Sequence, residues 1–175
     1  AYALRTKYKG KKVSVQLLTN VRSGNCTQNC AYCAQSKDSQ AEIEKYKRVS
    51  DEKLYGDNDL VDEKHLARHC IGLSGIGFSD EEIEDLADRI REMKKKDTQI
   101  CCSIGFLTEK QARILKDAGL DRINHNLNSS RSFYPEICTT HTYDQRVNNI
   151  KMLQSLGFEI CSGGIVGMGE SKEDI

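Results

Sequence analysis

The sequence predicts an α/β protein built on a parallel β-sheet, because strand-like and helix-like segments alternate along the chain. Two further observations support this prediction: polar capping signals open the helices, and the connecting loops are short. The pattern favours either a (β/α) barrel or a doubly wound sheet. It contains about five strands, fewer than the eight that close a (β/α) barrel.

The predicted strands are short segments between helix signals. They span residues 12–19, 68–74, 99–104, 121–127 and 158–163. In the first of them, Val13, Val15 and Leu17 alternate with polar residues, which is typical of a half-buried strand.

Capping residues predict the helices between these strands. Capping boxes predict helices that begin after Ser79 and Thr108, and a further helix is predicted over 142–156. Ser50 is also a helix N-cap, but the four poor helix formers at 56–59 predict a break in that helix.

Composition argues against several classes of function. The 26 Lys and Arg balance 26 Asp and Glu, so no basic surface is expected for nucleic acid. No run of about 18 apolar residues predicts a membrane span, and the start of the chain lacks a signal-peptide pattern. Eight cysteines without such a signal indicate a reducing compartment, the cytoplasm, where cysteines bind metal more often than they form disulfides.

Three of the cysteines form a compact group: Cys26, Cys30 and Cys33. They fall just after the first predicted strand, at the edge where a parallel barrel places its active site. Such a loop suits an iron–sulfur cluster or zinc, and three ligands on a four-iron cluster leave one iron open. The alternatives are three unrelated thiols or a structural zinc site completed by a distant residue, with His65 and His69 as candidates. These two histidines are expected to be ordinary helix-surface residues rather than ligands.

Three more cysteines fall on the second, third and fifth predicted strands: Cys70, Cys101 and Cys161. Interior side chains of a barrel converge, so these thiols are either a second cluster site or small buried hydrophobes, and spacing alone supports both equally.

Asparagines occupy alternate positions of the fourth strand: Asn124, Asn126 and Asn128. This polar face predicts a binding wall where a structural barrel core would be apolar.

The first cysteine group, with Tyr32 before its third cysteine, resembles the signature of the radical S-adenosylmethionine (SAM) superfamily. The strand segments around the other cysteines resemble motifs of the biotin synthase family in order and separation: 68–72, 100–105 and 160–167. The resemblance covers residues 10–175 and departs from the family at Thr27, where proline is common. It implies a partial (β/α) barrel of the TIM-barrel type, one domain over 1–175 that is incomplete at its C-terminus.

The resemblance also implies cofactors and partners. Cys26, Cys30 and Cys33 would hold a 4Fe-4S cluster that binds SAM. An auxiliary cluster, 2Fe-2S or a variant, would be held by Cys70, Cys101 and Cys161 with an arginine from a later strand. The implied reaction is radical sulfur insertion that converts dethiobiotin to biotin, with flavodoxin or ferredoxin as electron donor and a homodimer as the full-length assembly.

Individual binding residues follow from the same resemblance. Asn124 would contact the ureido ring of dethiobiotin, and Asn126 and Asn128 the ribose of SAM, although the family usually has Asp at the last position. Arg146 would pair with the methionine carboxylate, for which a planar guanidinium is suited. Tyr32 and Ile165 are also assigned to the cofactor, Ile165 within a glycine-rich stretch that would let the backbone approach adenine.

Several alternatives stay open at this point. The chain resembles, less closely, radical enzymes of the hydrogenase-maturation or methylornithine-synthase type, and an inactive iron–sulfur or zinc-binding fragment is a third interpretation. Cys102 and Cys138 are expected to be bystander thiols, or, for Cys138, an extra ligand or sulfur carrier of the auxiliary cluster. A capping signal at 171–174 opens a helix that the chain does not complete, so this chain is not expected to be active alone.

Overall fold

A computed structural model describes all 175 residues and confirms the alternation of strands and helices. The strands are β1 Gln16–Arg22, β2 Arg68–Leu73, β3 Ile100–Ser103, β4 Arg122–Asn124 and β5 Glu159–Cys161. The helices are α1 Tyr2–Lys9, α2 Asp51–Glu63, α3 Asp80–Met93, α4 Glu109–Asp117, α5 Tyr134–Ile137 and α6 Tyr143–Ser155, and a 3₁₀ turn follows at Lys172–Asp174. None of these helices combines the length and apolar character needed to span a bilayer.

The five strands form one parallel sheet in the order of the sequence, β1-β2-β3-β4-β5. A doubly wound sheet reverses its strand order at a switch point, whereas a (β/α) barrel adds each strand beside the previous one. The uninterrupted order therefore selects the barrel type of the two folds that the pattern allowed.

The two faces of the sheet differ in chemistry. Ile71, Cys102 and Ile123 pair across β2, β3 and β4, and all three belong to the 19-residue apolar core under the helices. Cys102 therefore faces the helices, as its position next to Cys101 predicts. The opposite face carries Cys101 and, across from it, polar or reactive side chains of the neighbouring strands.

Most of the predicted helix starts are confirmed. Complete capping boxes open α3 at Ser79, α4 at Thr108 and α6 at Thr142, and Ser50 accepts a hydrogen bond from the amide of Lys53 at the start of α2. Each cap satisfies amide groups that have no partner within the helix. These caps define the residue at which each helix begins.

The predicted break in α2 is wrong, because the helix is continuous through residues 56–59. Tertiary contacts outweigh the poor propensity of this stretch: the buried Asn58 amide donates to the Met93 carbonyl at 3.1 Å, and Asp57 accepts from the Thr19 hydroxyl at 2.6 Å. His69 completes this buried group, with Nε2 2.8 Å from Thr19 Oγ1. It is a core residue between sheet and helix, so the interpretation of His69 as a surface residue or zinc ligand is also wrong.

Every strand differs from its predicted limits by at least one residue, and the first and fourth strands differ most. The first begins at Gln16 rather than residue 12, and Val13 and Val15 lie 77% and 56% exposed before it, so their alternation does not mark the core. The fourth ends at Asn124, and Asn128, four residues later, has a left-handed φ of 69°. The helices α1 and α5 carry no signal that the sequence analysis identified.

Candidate active site

An open cavity of about 320 Å³ lies beside the C-terminal ends of β1 to β4, the end at which barrel enzymes of this type keep their active sites. It gathers residues from both halves of the chain: Cys26, Cys30, Tyr32, Cys33, Asn124, His125, Asn126, Asn128, His141 and Arg146. The first cysteine group, the asparagines and the arginine that the sequence analysis selected thus line one cavity.

The loop that carries the first three cysteines is held by the segment after α5. The Ala31 amide donates to the Ile137 carbonyl at 2.9 Å. The side chain of Asn29 bonds to two threonines: its Nδ2 donates to Thr139 Oγ1 at 2.7 Å, and its Oδ1 accepts from the Thr140 hydroxyl at 3.0 Å. Because one asparagine side chain both donates and accepts here, it fixes the loop against residues more than 100 positions later.

The spread of the three thiols suits a cluster better than a single ion. Cys30 is buried, and Cys26 and Cys33 are partly exposed to the cavity. A tetrahedral zinc ion with bonds of about 2.3 Å holds its sulfur ligands within about 4 Å of one another. Cys26 and Cys33 belong to no set of three ligand atoms within 4.8 Å, so the triplet does not form a single-ion site. Three thiols in a loop that offers no fourth fit a four-iron cluster with one open iron.

Arg146 projects from α6 into the same cavity. Its Nε donates to the Tyr134 hydroxyl at 2.6 Å, and its Nη1 donates to the Asn126 carbonyl at 3.0 Å. Its Nη2 lies 2.9 Å from His141 Nε2, which therefore accepts the hydrogen bond. Burial and the arginine charge lower the pKa of His141 to about 4, so the imidazole is neutral near pH 7. All three partners of the guanidinium are therefore uncharged, and none of them is a carboxylate.

The three asparagines occupy different environments along the cavity wall. Asn124 ends β4, and its Oδ1 is buried without a hydrogen-bond partner, as expected of an atom that awaits a ligand. Asn126 uses its carbonyl to accept from Arg146. Asn128 is buried, and its Nδ2 donates to the Tyr32 hydroxyl at 2.6 Å. Asn128 therefore supports the cysteine loop as well as the wall.

The second cysteine group lies on the sheet face opposite the helices. Cys70 and Cys101 are register partners on β2 and β3, and Cys161 on β5 pairs with Asn124. Since register partners in a parallel sheet share a face, the three thiols and Asn124 point to the same side. A hydrogen bond from Cys101 lowers the pKa of Cys70 to about 7, with help from the charges of Arg68 and Arg122. This pair readily supplies one thiolate for a soft metal.

Ile165 lies away from the cysteine cavity. Its amide donates to the Asn128 carbonyl at 2.7 Å, and its side chain lines a neighbouring pocket with Gly163, Gly164 and Asn128. The glycine-rich stretch thus approaches the asparagine wall through its backbone. Asn128 borders both pockets and connects them.

Cys138 and His141 are site residues whose position the sequence analysis missed. The Cys138 thiol lies 3.7 Å from the Cys30 thiol, which places it beside the first cysteine group rather than the second. Burial and Cys138 raise the pKa of Cys30 to about 11, whereas hydrogen bonds from Thr140 and His141 outweigh burial and lower the pKa of Cys138. The Cys-x-x-His spacing of residues 138–141 was the available signal.

Comparison with known proteins agrees with this geometry. The profile of the radical SAM superfamily matches residues 20–175. Biotin synthase of Rhodopirellula baltica is 42% identical over 175 residues, which cover 99% of this chain and 49% of that protein. Biotin synthase of Bacillus subtilis strain 168 is 41% identical over 176 residues, covering 100% of this chain and 52% of that protein. The chain thus spans about half the length of the curated relatives it matches.

Solved structures match the fold at lower sequence identity. A methylornithine synthase superposes with a TM-score of 0.85 at 16% identity, covering 97% of this chain and 50% of that one. The FeFe-hydrogenase maturase of Carboxydothermus hydrogenoformans gives a TM-score of 0.81 at 20% identity, covering 96% and 40%. At these identities the likeness establishes the shared barrel-type fold.

Proposed function

Because the chain belongs to the radical SAM superfamily, we propose that it forms the cluster-binding and substrate-binding part of a biotin synthase. Its reaction is the insertion of sulfur between two unactivated carbons of dethiobiotin. The observation that carries the proposal is the single cavity that joins the cysteine triplet, Arg146 and the unpaired amide oxygen of Asn124. The chain acts as one barrel-type domain in this proposal.

The triplet would hold the 4Fe-4S cluster through Cys26, Cys30 and Cys33. When bound, this cluster and SAM supply a 5′-deoxyadenosyl radical that abstracts hydrogen from the substrate. Arg146 orients the cofactor, because its guanidinium points into the cavity without a carboxylate partner and pairs well with the methionine carboxylate. Asn126 and Asn128 face the ribose, and Tyr32 fixes the orientation of Asn128.

The substrate lies between the two cysteine groups. Asn124 offers its buried Oδ1 to an N–H of the ureido ring, and Cys161 is its register partner on the next strand. Cys70, Cys101 and Cys161 would hold the auxiliary cluster, which supplies the inserted sulfur atom. Their common face with Asn124 supports this arrangement, since the sulfur source then borders the bound substrate.

The proposal includes partners and a compartment. A low-potential electron donor such as flavodoxin or ferredoxin reduces the cluster, and the full-length enzyme is a homodimer. Eight free thiols suit the reducing cytoplasm.

Anaerobic reconstitution tests the proposal. The full-length enzyme that contains this chain is expected to bind iron and sulfide for both clusters, to bind SAM, and to form 5′-deoxyadenosine faster when dethiobiotin is present. Cys30→Ala is expected to abolish SAM binding and cleavage, with Cys102→Ala as the matched control. SAM cleavage that dethiobiotin does not stimulate would contradict the substrate assignment and favour a different radical SAM enzyme.

A further inference from the structure

Cys138 and His141 have no part in the proposed reaction, and they form a compact set of metal donors with Cys30. The Cys30 and Cys138 sulfurs are 3.7 Å apart, and His141 Nδ1 lies 3.3 Å from the Cys138 sulfur. All three ligand atoms lie within 4.8 Å of one another, and all three residues are buried. No other group of three such side chains in the chain is this compact.

The separation of the two sulfurs and that of the Cys138 sulfur from His141 Nδ1 match a single tetrahedral ion. Zinc bonds of about 2.3 Å to sulfur and about 2.0 Å to nitrogen place two sulfurs about 3.8 Å apart and a sulfur and a nitrogen about 3.5 Å apart. The observed distances of 3.7 and 3.3 Å are close to both values. Gln28 Oε1, 3.0 Å from His141 Nδ1, provides an oxygen donor for the fourth position.

We propose that Cys30, Cys138 and His141 bind one zinc-class divalent ion when the cluster is absent. Two thiolates and an imidazole are the ligands that such an ion prefers over magnesium or calcium. Because the ion and the cluster both need the Cys30 thiolate, they cannot be bound at the same time. The ion therefore blocks cluster assembly, a consequence that does not depend on which substrate the enzyme uses.

The surroundings of His141 also fit an ion-bound state. Coordination through Nδ1 leaves the proton on Nε2, and the Tyr134 hydroxyl lies 2.9 Å from Nε2, where its oxygen accepts that proton's hydrogen bond. In the ion-free structure Arg146 donates to the same nitrogen from Nη2 at 2.9 Å and from Nε at 3.2 Å. In the ion-bound state Nη2 must therefore turn away, and Nε donates to the Tyr134 hydroxyl alone. The hydrogen bond from Arg146 Nη1 to the backbone carbonyl of Asn126 keeps the arginine at the cavity in both states.

Cobalt, a spectroscopic substitute for zinc, tests the proposal on the whole protein prepared without iron under reducing conditions. Titration with Co²⁺ is expected to give the strong visible absorption of tetrahedral thiolate coordination at one ion per chain. Cys138→Ala and His141→Ala are expected to weaken binding at least tenfold. Cys26→Ala and Cys33→Ala, which remove triplet ligands outside this set, are expected to leave the spectrum unchanged.

Unchanged cobalt binding in Cys138→Ala, or its loss in Cys26→Ala, would overturn the proposal. Cys138→Ser keeps the side-chain volume and replaces the soft donor, so weakened binding in this variant excludes misfolding as the cause. Zinc added before reconstitution is expected to lower iron uptake in the unaltered protein and not in Cys138→Ala, and equal inhibition would also contradict the site. These results do not depend on whether the protein uses dethiobiotin. Failure of this proposal can therefore be distinguished from failure of the proposed reaction.

Discussion

The side-chain amide of Asn128 donates a hydrogen bond to the Tyr32 hydroxyl over 2.6 Å. This contact joins the segment that follows β4 to the cysteine loop. The backbone of Asn128 is left-handed, with φ at 69°, a conformation that asparagine and glycine adopt more readily than other residues. One residue thus supplies both the turn and the bond.

Two substitutions of Asn128 separate these roles. Both Asn128→Gly and Asn128→Ala lose the hydrogen bond, worth about 0.5–1.5 kcal/mol. Alanine adds left-handed strain of about 1–2 kcal/mol, which exceeds the extra unfolded-state freedom of glycine, about 0.5–1 kcal/mol. Chemical denaturation is therefore expected to show a larger loss for alanine. Equal losses, or a larger one for glycine, would contradict the backbone argument.

The neighbouring thiols of β3 provide a matched pair of variants. If the proposed auxiliary cluster is bound by Cys70, Cys101 and Cys161, Cys101→Ala is expected to remove its iron and sulfide, because Cys101 faces the side of the sheet shared with Cys70. Cys102→Ala is the control, since Cys102 is fully buried in the helix-side core. Iron and sulfide analysis after anaerobic reconstitution measures the difference. An identical metal content in the two variants would rule out the assigned ligand.

Arg146→Lys is expected to weaken SAM binding about 10- to 100-fold. Lysine cannot reproduce the planar pairing with a carboxylate, and one charge-assisted hydrogen bond is worth about 1.5–3 kcal/mol. Equilibrium dialysis on the reconstituted protein measures this change. Arg113→Lys is the control, because Arg113 forms an exposed ion pair with Glu109 on α4. Unchanged SAM binding by Arg146→Lys would contradict the assignment of Arg146 to the cofactor site.

Asn58→Ala is expected to destabilise the fold by about 1–3 kcal/mol. The substitution leaves the Met93 carbonyl and the His69 ring without this buried partner. Asp59→Ala, the adjacent change on the exposed side of α2, removes only a surface ion pair with Lys96 and is expected to cost less than about 0.5 kcal/mol. Urea denaturation compares the two, and similar costs would refute a special role for the buried amide.

Acid is expected to weaken the ion pair between Asp51 and the buried Arg89, which are 2.6 Å apart. The hydrogen bond from Arg89 is the main cause that lowers the pKa of Asp51 in the folded chain. A lowered folded-state pKa stabilises the fold fully above the unfolded value, about 3.9, and this stabilisation is lost as the pH falls below it.

Asp51→Asn should therefore be less stable than the unaltered protein at pH 7, by about 1 kcal/mol because the Asp51 side chain is partly exposed, and the two should converge as the pH falls through the lowered folded-state pKa of Asp51. Denaturation at a series of pH values measures this difference. Asp88→Asn, which breaks an exposed pair with Arg91, serves as the control with little expected change. A difference for Asp51→Asn that does not vary with pH would contradict the electrostatic explanation.

Local signals in the sequence predicted much of this fold. A cap such as Ser79 acts on amides within one turn, and strand alternation places Cys101 and Cys102 on opposite faces without reference to the rest of the chain. These predictions succeeded because the interactions behind them span only a few residues.

Features that depend on distant contacts were not predictable in this way. The continuity of α2 depends on Asn58 and Met93, which are 35 positions apart. The approach of Cys138 to Cys30 spans 108 positions, and only the folded sheet brings these thiols together. The Cys-x-x-His spacing marks Cys138 and His141 as candidate ligands, but no local pattern encodes the contact with Cys30 or that of Asn58 with Met93.

The bonds between Asn29 and the threonines of residues 139 and 140 imply an order of events during biosynthesis. The cysteine loop leaves the ribosome about 110 residues before the segment that fixes its shape. At about 5–20 residues per second, the loop waits about 5–20 seconds for this partner. Its thiols are exposed to metal ions and oxidants throughout that interval. Cluster delivery is therefore expected to follow the synthesis of the second half of the sheet. Until then, the exposed cysteine loop is more open to binding a wrong metal than it is in the folded protein.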